Sequence, residues 1–109
     1  MDVTNLKFDA NGLIPAVIQD MDTNQVLMVG YMDLSALMKT LESGLITFWS
    51  RSRKRLWTKG ETSGNFLSLK EIRVDCDQDA LLFKVQPAGP TCHTGHSSCF
   101  FTKITPTKK

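Results

Sequence analysis

Helical periodicity is confined to one stretch of this chain, and that constrains the fold more than any other feature. Leu34, Leu37, Met38 and Leu41 fall at i, i+3, i+4 and i+7, which sets them on one apolar helix face expected to pack inward. Asp33 is the expected N-cap and Gly44 the expected stop. The other apolar runs are short and bounded by turn residues, as strands are. Leu13 to Gln19 and Gln25 to Tyr31 flank the turn Met21 to Asn24 and form a hairpin. Pro15 near the start of the first run predicts a sheet edge. Leu45 to Ser50, a short element at Leu56 and Trp57, Phe66 to Asp75, Ala80 to Val85 and Ser98 to Ile104 complete the set. One helix and several short strands predict a mostly β, small α+β fold: a compact mixed sheet or pseudobarrel with one main helix.

At 109 residues the chain is expected to form one domain, 1–109, with a flexible tail over about 105–109. A domain this small buries only about two-thirds of the surface of its unfolded chain. A deep cleft is then easier to enclose between two copies than within one. With 41% hydrophobic and 22% charged residues the composition is that of an ordinary globule, not of a disordered chain. The sequence does not open on a cationic start followed by a long apolar run, and no stretch approaches 18 apolar residues. Neither a targeting signal nor a membrane span is expected. Three cysteines cannot all pair within one chain, so a reducing cytoplasm, with the thiols free or on metal, is the simpler setting.

The net charge of +2 identifies no partner, but its distribution is uneven. Arg51, Arg53, Lys54, Arg55 and Lys59 follow one another with no acid before Glu61. Such a cluster suits a phosphorylated ligand, a nucleic acid, or simply a solvated face. Trp49 and Trp57 bracket most of it and read either as core or as stacking platforms for a base.

The chemistry-bearing residues gather between Val74 and Phe101, which hold all three cysteines and both histidines. Asp75, Asp77 and Asp79 recur at every second position. In an extended segment they share one face, with Cys76 on the other. Three hard oxygen ligands suit magnesium or calcium; the alternative is a solvated acidic turn. An EF-hand is excluded, because Ala80 stands where its glycine belongs and Gln86 where its glutamate belongs. Cys76, Cys92 and Cys99 lack the tight spacing of a zinc knuckle. Three thiolates on zinc leave a fourth position open to water, the catalytic arrangement. His93, directly after Cys92, is placed to move a proton at neutral pH. His96 as a fourth ligand makes the site structural instead, and thiols that are simply buried remain the third reading.

Four long blocks narrow these alternatives. In GLIPAVIQD (12–20), WSRSRKRLWTKGETSGN (49–65), VDCDQDALL (74–82) and CHTGHSSCF (92–100), in that order, the chain resembles the phosphoribosyl-AMP cyclohydrolases of histidine biosynthesis. The resemblance implies a hydrolase that opens the adenine ring of phosphoribosyl-AMP between N1 and C6. It implies an intertwined homodimer with shared active sites, and one zinc per subunit held by Cys76 of one copy and Cys92 and Cys99 of the other. It assigns magnesium to Asp75, Asp77 and Asp79, and the general base to His93. The block 49–65 takes a substrate-binding role, with Arg51, Ser52, Arg53, Lys54, Lys59, Ser63 and Gly64 as the candidates for the two phosphates. Some relatives are fused to a phosphoribosyl-ATP pyrophosphohydrolase; the length here leads to the expectation of the monofunctional form. A nucleic-acid-binding zinc module is the rival of a different class. Against it, the three aspartates would repel a phosphate backbone, so no nucleic-acid partner is expected.

Overall fold

The computed structural model describes residues 3–107. The elements run β1 (Ile14–Asp20), β2 (Val26–Met32), α1 (Leu34–Ser43), β3 (Thr47–Ser50), β4 (Arg55–Thr58), β5 (Leu67–Val74) and β6 (Leu81–Pro87). Four strands form a mixed sheet in the order β2-β1-β6-β5, and β3 and β4 form a separate antiparallel ribbon. Inside the sheet β1 runs antiparallel to β2 and parallel to β6, while β5 and β6 are antiparallel. The mostly β fold with one helix and a mixed sheet is as expected. The pseudobarrel is not: β2 and β5 are open edges and the sheet does not close on itself. Nor is an intertwined dimer part of this structure, which holds one chain whose core is closed by its own residues.

Alternation along β1 and β6 explains where the core sits. Ile14, Ala16 and Ile18 are buried on one face of β1, and Leu81, Phe83 and Val85 on the same face of β6. Leu27 and Met32 of β2, Leu67 of β5 and Ile46 and Phe48 at the ribbon complete the cluster, with Leu37 covering it from the helix. Gly30 has no room for a side chain: a Cβ there would lie 2.5 Å from the Phe48 ring, so this glycine lets the ribbon close onto the sheet.

The helix is capped as its sequence predicts. The Asp33 carboxylate accepts from the Ala36 N–H at 2.7 Å, and the Gly44 N–H donates to the Thr40 carbonyl at 2.9 Å. Its buried stripe is rotated from the one expected. Ala36, Leu37 and Thr40 are buried, whereas Leu34 is 50% and Met38 48% exposed. The cause is the Thr40 hydroxyl, which accepts from the Thr47 N–H at 2.9 Å and donates to the Ala36 carbonyl at 2.9 Å. That pair of bonds fixes which side of the helix faces β3.

Two further expectations are corrected. β1 is an inner strand, not an edge; its pairing with β6 begins at Ala16, so Pro15, which lacks an N–H, falls just before that ladder. The segment Ser98 to Ile104 forms no strand. Instead Cys99 N–H donates to the Leu27 carbonyl at 2.7 Å and Ser98 Oγ to the Val26 carbonyl at 2.7 Å. Those contacts pin the segment to β2 at its first residues only. Of the expected tail, residues 105–107 are exposed and irregular; 108 and 109 lie outside the described residues. No helix among the described residues is long and apolar enough to cross a membrane.

Candidate active site

The three aspartates do come together, but not on a strand. The β5–β6 connection is a tight turn in which Asp75 N–H donates to the Ala80 carbonyl at 3.1 Å and Gln78 adopts a positive φ of 64°. The turn curls the chain so that one carboxylate oxygen of each of Asp75, Asp77 and Asp79 lies within 4.8 Å of the others, all solvent-exposed. Desolvation pushes the Asp75 carboxyl up, but the N–H groups of Asp79, Ala80 and Gln78 and a side-chain bond with Asp79 outweigh it and hold it below its ordinary value. Asp79 moves the other way. Its side-chain hydrogen bond with Asp75 comes first, then desolvation, then the charges of Asp75 and Asp77, and all raise it. Three exposed carboxylates this close, with Asp75 and Asp77 raising the proton affinity of Asp79, are a fit donor set for a hard divalent cation.

The cysteines separate into two places. Cys92 is buried and Cys99 exposed, and the two thiols lie near enough to shift each other's titration. Cys76 sits exposed on the aspartate turn and does not join them: among the described residues the aspartate trio is the one group of three ligand atoms close enough to share an ion. Neither His93 nor His96 completes a set with Cys92 and Cys99. His96 instead turns Nδ1 to the Thr94 hydroxyl at 2.8 Å and lays its ring on Phe101. Cys92 is drawn below the usual thiol range, chiefly by hydrogen bonds from Thr94, with Cys99 and the charge of Lys59 adding. Burial and then Cys92 push Cys99 up. Two neighbouring sulfurs, one of them drawn down, are a fit partial donor set for zinc.

A cleft of about 340 Å³ opens beside this pair. Lys59, Ser63 and Asn65 line it from the β4–β5 connection, and Thr91, Cys92 and His93 from the loop after β6. Asn65 Nδ2 donates to the Pro90 carbonyl at 3.2 Å and so ties the two loops together. The Thr91 hydroxyl is buried without a hydrogen-bond partner among the described residues. Lys59 Nζ lies 5.3 Å from the Trp57 ring centroid, and Trp57 packs on Phe48 with centroids 5.7 Å apart. Gly64 shapes this loop with its N–H bonded to the Gly60 carbonyl at 2.7 Å, while Ser63 Oγ accepts from the Asn65 N–H at 3.1 Å.

The remaining basic residues point elsewhere. Arg51, Ser52, Arg53 and Lys54 form the exposed β3–β4 turn. Arg53 and Arg55 line a second recess of about 320 Å³ with Ser50 and Trp57, and Arg55 pairs with Glu61 at 3.4 Å. Arg51 and Lys54 line a third with Trp49. The Arg51 guanidinium stacks 4.1 Å above the Tyr31 ring, and Tyr31 lines a recess with Asp79. Lys59, Ser63, Cys92 and His93 are thus brought together, and the β3–β4 turn is not part of that cleft. Sequence reasoning does not single out Asn65, Thr91 or Thr94; Asn65 and Thr94 stand inside the two loop motifs and Thr91 directly before the second.

Comparison with known proteins places the chain in a family. The family model described as phosphoribosyl-AMP cyclohydrolase matches residues 28–101. Histidine biosynthesis bifunctional protein HisIE of Photobacterium profundum is 62% identical over 99 residues, covering 90% of this chain and 48% of that protein. Its counterpart in Staphylococcus aureus is 56% identical over 103 residues, with 94% and 49% covered. Phosphoribosyl-AMP cyclohydrolase of Paracoccus denitrificans is 53% identical over 103 residues, with 94% and 85% covered. The chain therefore spans about half the length of the bifunctional relatives it matches and most of the shorter one. On the extent of these matches, the chain belongs to the phosphoribosyl-AMP cyclohydrolase family.

Proposed function

We propose that this chain catalyses the zinc-dependent hydrolytic opening of the adenine ring of phosphoribosyl-AMP, at the N1–C6 bond, in histidine biosynthesis. Beside the family membership, one observation carries the reading: Cys92 lines one cleft with His93 and Lys59, and Cys99 lies near enough to Cys92 for each to shift the other's thiol. Cys92 and Cys99 would hold zinc on one side, and Cys76, which forms no metal-binding group with them in its own chain, would supply the third thiolate from a second copy. The working unit is then a homodimer with shared active sites and one zinc per subunit. Bound there, zinc supplies the Lewis acidity that makes water a nucleophile at neutral pH. Asp75, Asp77 and Asp79 hold magnesium. The unpaired thiols support a reducing, cytoplasmic setting.

The chain's own residues divide the remaining work. His93 is exposed at the cleft next to Cys92, where it takes the proton of the water that attacks C6. The proton then passes to N1 as the C6–N1 bond breaks, and the nitrogen stays in the product. Lys59 and Ser63 bind one phosphate at the cleft. Arg51, Ser52, Arg53 and Lys54 on the β3–β4 turn serve the phosphates from outside it, and Gly64 shapes the loop that presents Ser63. The test is a spectroscopic assay of the zinc-loaded protein with phosphoribosyl-AMP and magnesium, beside a Cys92→Ser variant. Ring opening without ammonia, lost in the variant, is expected. Ammonia release would make the protein a deaminase, and no turnover at all would sink the assignment.

A further inference from the structure

The loop Cys92–Phe101 contains a relay that neither the reaction nor the ligand set requires. Thr94 Oγ1 donates to Cys92 Sγ at 3.0 Å and lies 2.8 Å from His96 Nδ1. The His96 ring is stacked on Phe101, with centroids 3.9 Å and planes 6° apart. Two backbone bonds hold the loop tight. Gly95 N–H donates to the Cys92 carbonyl at 2.9 Å, and Cys92 N–H to the His96 carbonyl at 3.1 Å. The far end is fastened to β2 through Ser98 and Cys99. Every atom of the relay is therefore placed by the loop itself.

A hydroxyl has one proton, so Thr94 can donate to sulfur or to nitrogen but not to both. A metal-ligating cysteine is a thiolate, which only accepts. With Cys92 in that form the Thr94 proton goes to sulfur, and the Thr94 oxygen must accept from a protonated His96 Nδ1. The alternative polarity, Thr94 donating to His96, suits only a Cys92 that keeps its proton. Phe101 fixes the plane of the His96 ring and so aims Nδ1 at Thr94.

We propose that Thr94 and His96 are positioning residues for the Cys92 thiolate: His96 Nδ1–H donates to Thr94 Oγ1, Thr94 Oγ1–H donates to Cys92 Sγ, and the pair sets how firmly this loop retains zinc. The proposal rests on the reading of Cys92 as a zinc ligand. It extends that reading to residues that touch neither metal nor substrate, as partners of metal ligands do elsewhere. It also gives His96 a role other than ligand or base.

The test measures zinc affinity of the full chain by competition with a chromogenic chelator, for the parent protein and for Thr94→Val, Thr94→Ser and Cys92→Ser. Thr94→Val keeps the shape and removes the hydroxyl; it is expected to bind zinc about 10- to 100-fold more weakly. Thr94→Ser restores the hydroxyl and is expected to hold zinc close to the parent level, which separates the relay from a folding defect. Nitrogen-15 NMR of the histidine rings supplies the readout that a merely structural role would not move. In the zinc-loaded parent His96 carries its proton on Nδ1, and Thr94→Val loses that preference. Unchanged zinc affinity in Thr94→Val, beside a Cys92→Ser protein that has lost zinc, overturns the relay alone. Zinc held equally well by Cys92→Ser overturns the ligand reading, and the relay with it.

Discussion

Asp75 and Asp79 are the same side chain four positions apart, and one turn drives them in opposite directions. Backbone N–H groups keep Asp75 ionised, while its bond and charge keep a proton on Asp79 above the ordinary 3.8. A divalent cation needs both as carboxylates. Magnesium affinity should therefore rise as pH climbs through the raised Asp79 value, and binding should release a proton near it. Titration calorimetry in buffers of different ionisation enthalpy reads that proton directly; binding that is indifferent to pH across this range contradicts it. Gly60 carries a second residue-scale prediction. Its φ is 95°, and a Cβ would lie 2.6 Å from the Asn65 backbone, which cannot move aside as a side chain can. Gly60→Ala should cost at least about 1–3 kcal/mol in urea unfolding and lower activity by shifting Lys59 and Ser63. The spacing of the aspartates and cysteines could be read from sequence because ligand chemistry depends on residue type. The roles of Asn65 and Thr94 could not, because each depends on how a loop with no regular period folds back on itself.

Among the elements, those with a strong period or a cap were legible. Asp33 and Gly44 bound α1 as expected, and β1, β2, β5 and β6 appear within a residue or two of their apolar runs. The errors have physical causes. SCFFTKI has the composition of a strand, yet it turns on itself instead of extending along the open edge of β2: Phe100 N–H donates to Ser98 Oγ and Phe101 stacks back on His96. The helix turned its polar Thr40 inward, against its apolar pattern, because that hydroxyl accepts from the Thr47 N–H while its own proton goes to the Ala36 carbonyl. Thr40→Val should accordingly destabilise the protein by about 1–3 kcal/mol, since it leaves the buried Thr47 N–H unpaired. Chemical denaturation measures this, and a variant as stable as the parent would show that the hydroxyl does not hold α1 to β3.

At the scale of the molecule, Cys76 and the Cys92–Cys99 pair stand on different loops and do not meet. The shared-site reading makes a sharp prediction from this. Cys76→Ser and Cys92→Ser proteins, each inactive alone, should regain about a quarter of parental activity when refolded together, because each mixed dimer holds one intact site. Absence of any recovery, with mixed dimers demonstrated by mass, argues for a site within one chain. A division of labour between copies is not legible in periodicity or composition, which describe one chain at a time; the expectation of it rests on small size and family resemblance. The sheet order has a consequence of another kind. Ala16 pairs with Leu81, and Cys99 reaches back to Leu27, so early and late parts of the chain close the fold together. Such long-range pairing places folding in the slow, millisecond-to-second regime. During synthesis β1 must wait for β6 to leave the ribosome, and the cysteine loop emerges later still. On the zinc reading, the metal would meet a chain whose sheet is already formed, as a seal on a finished fold rather than a seed for it.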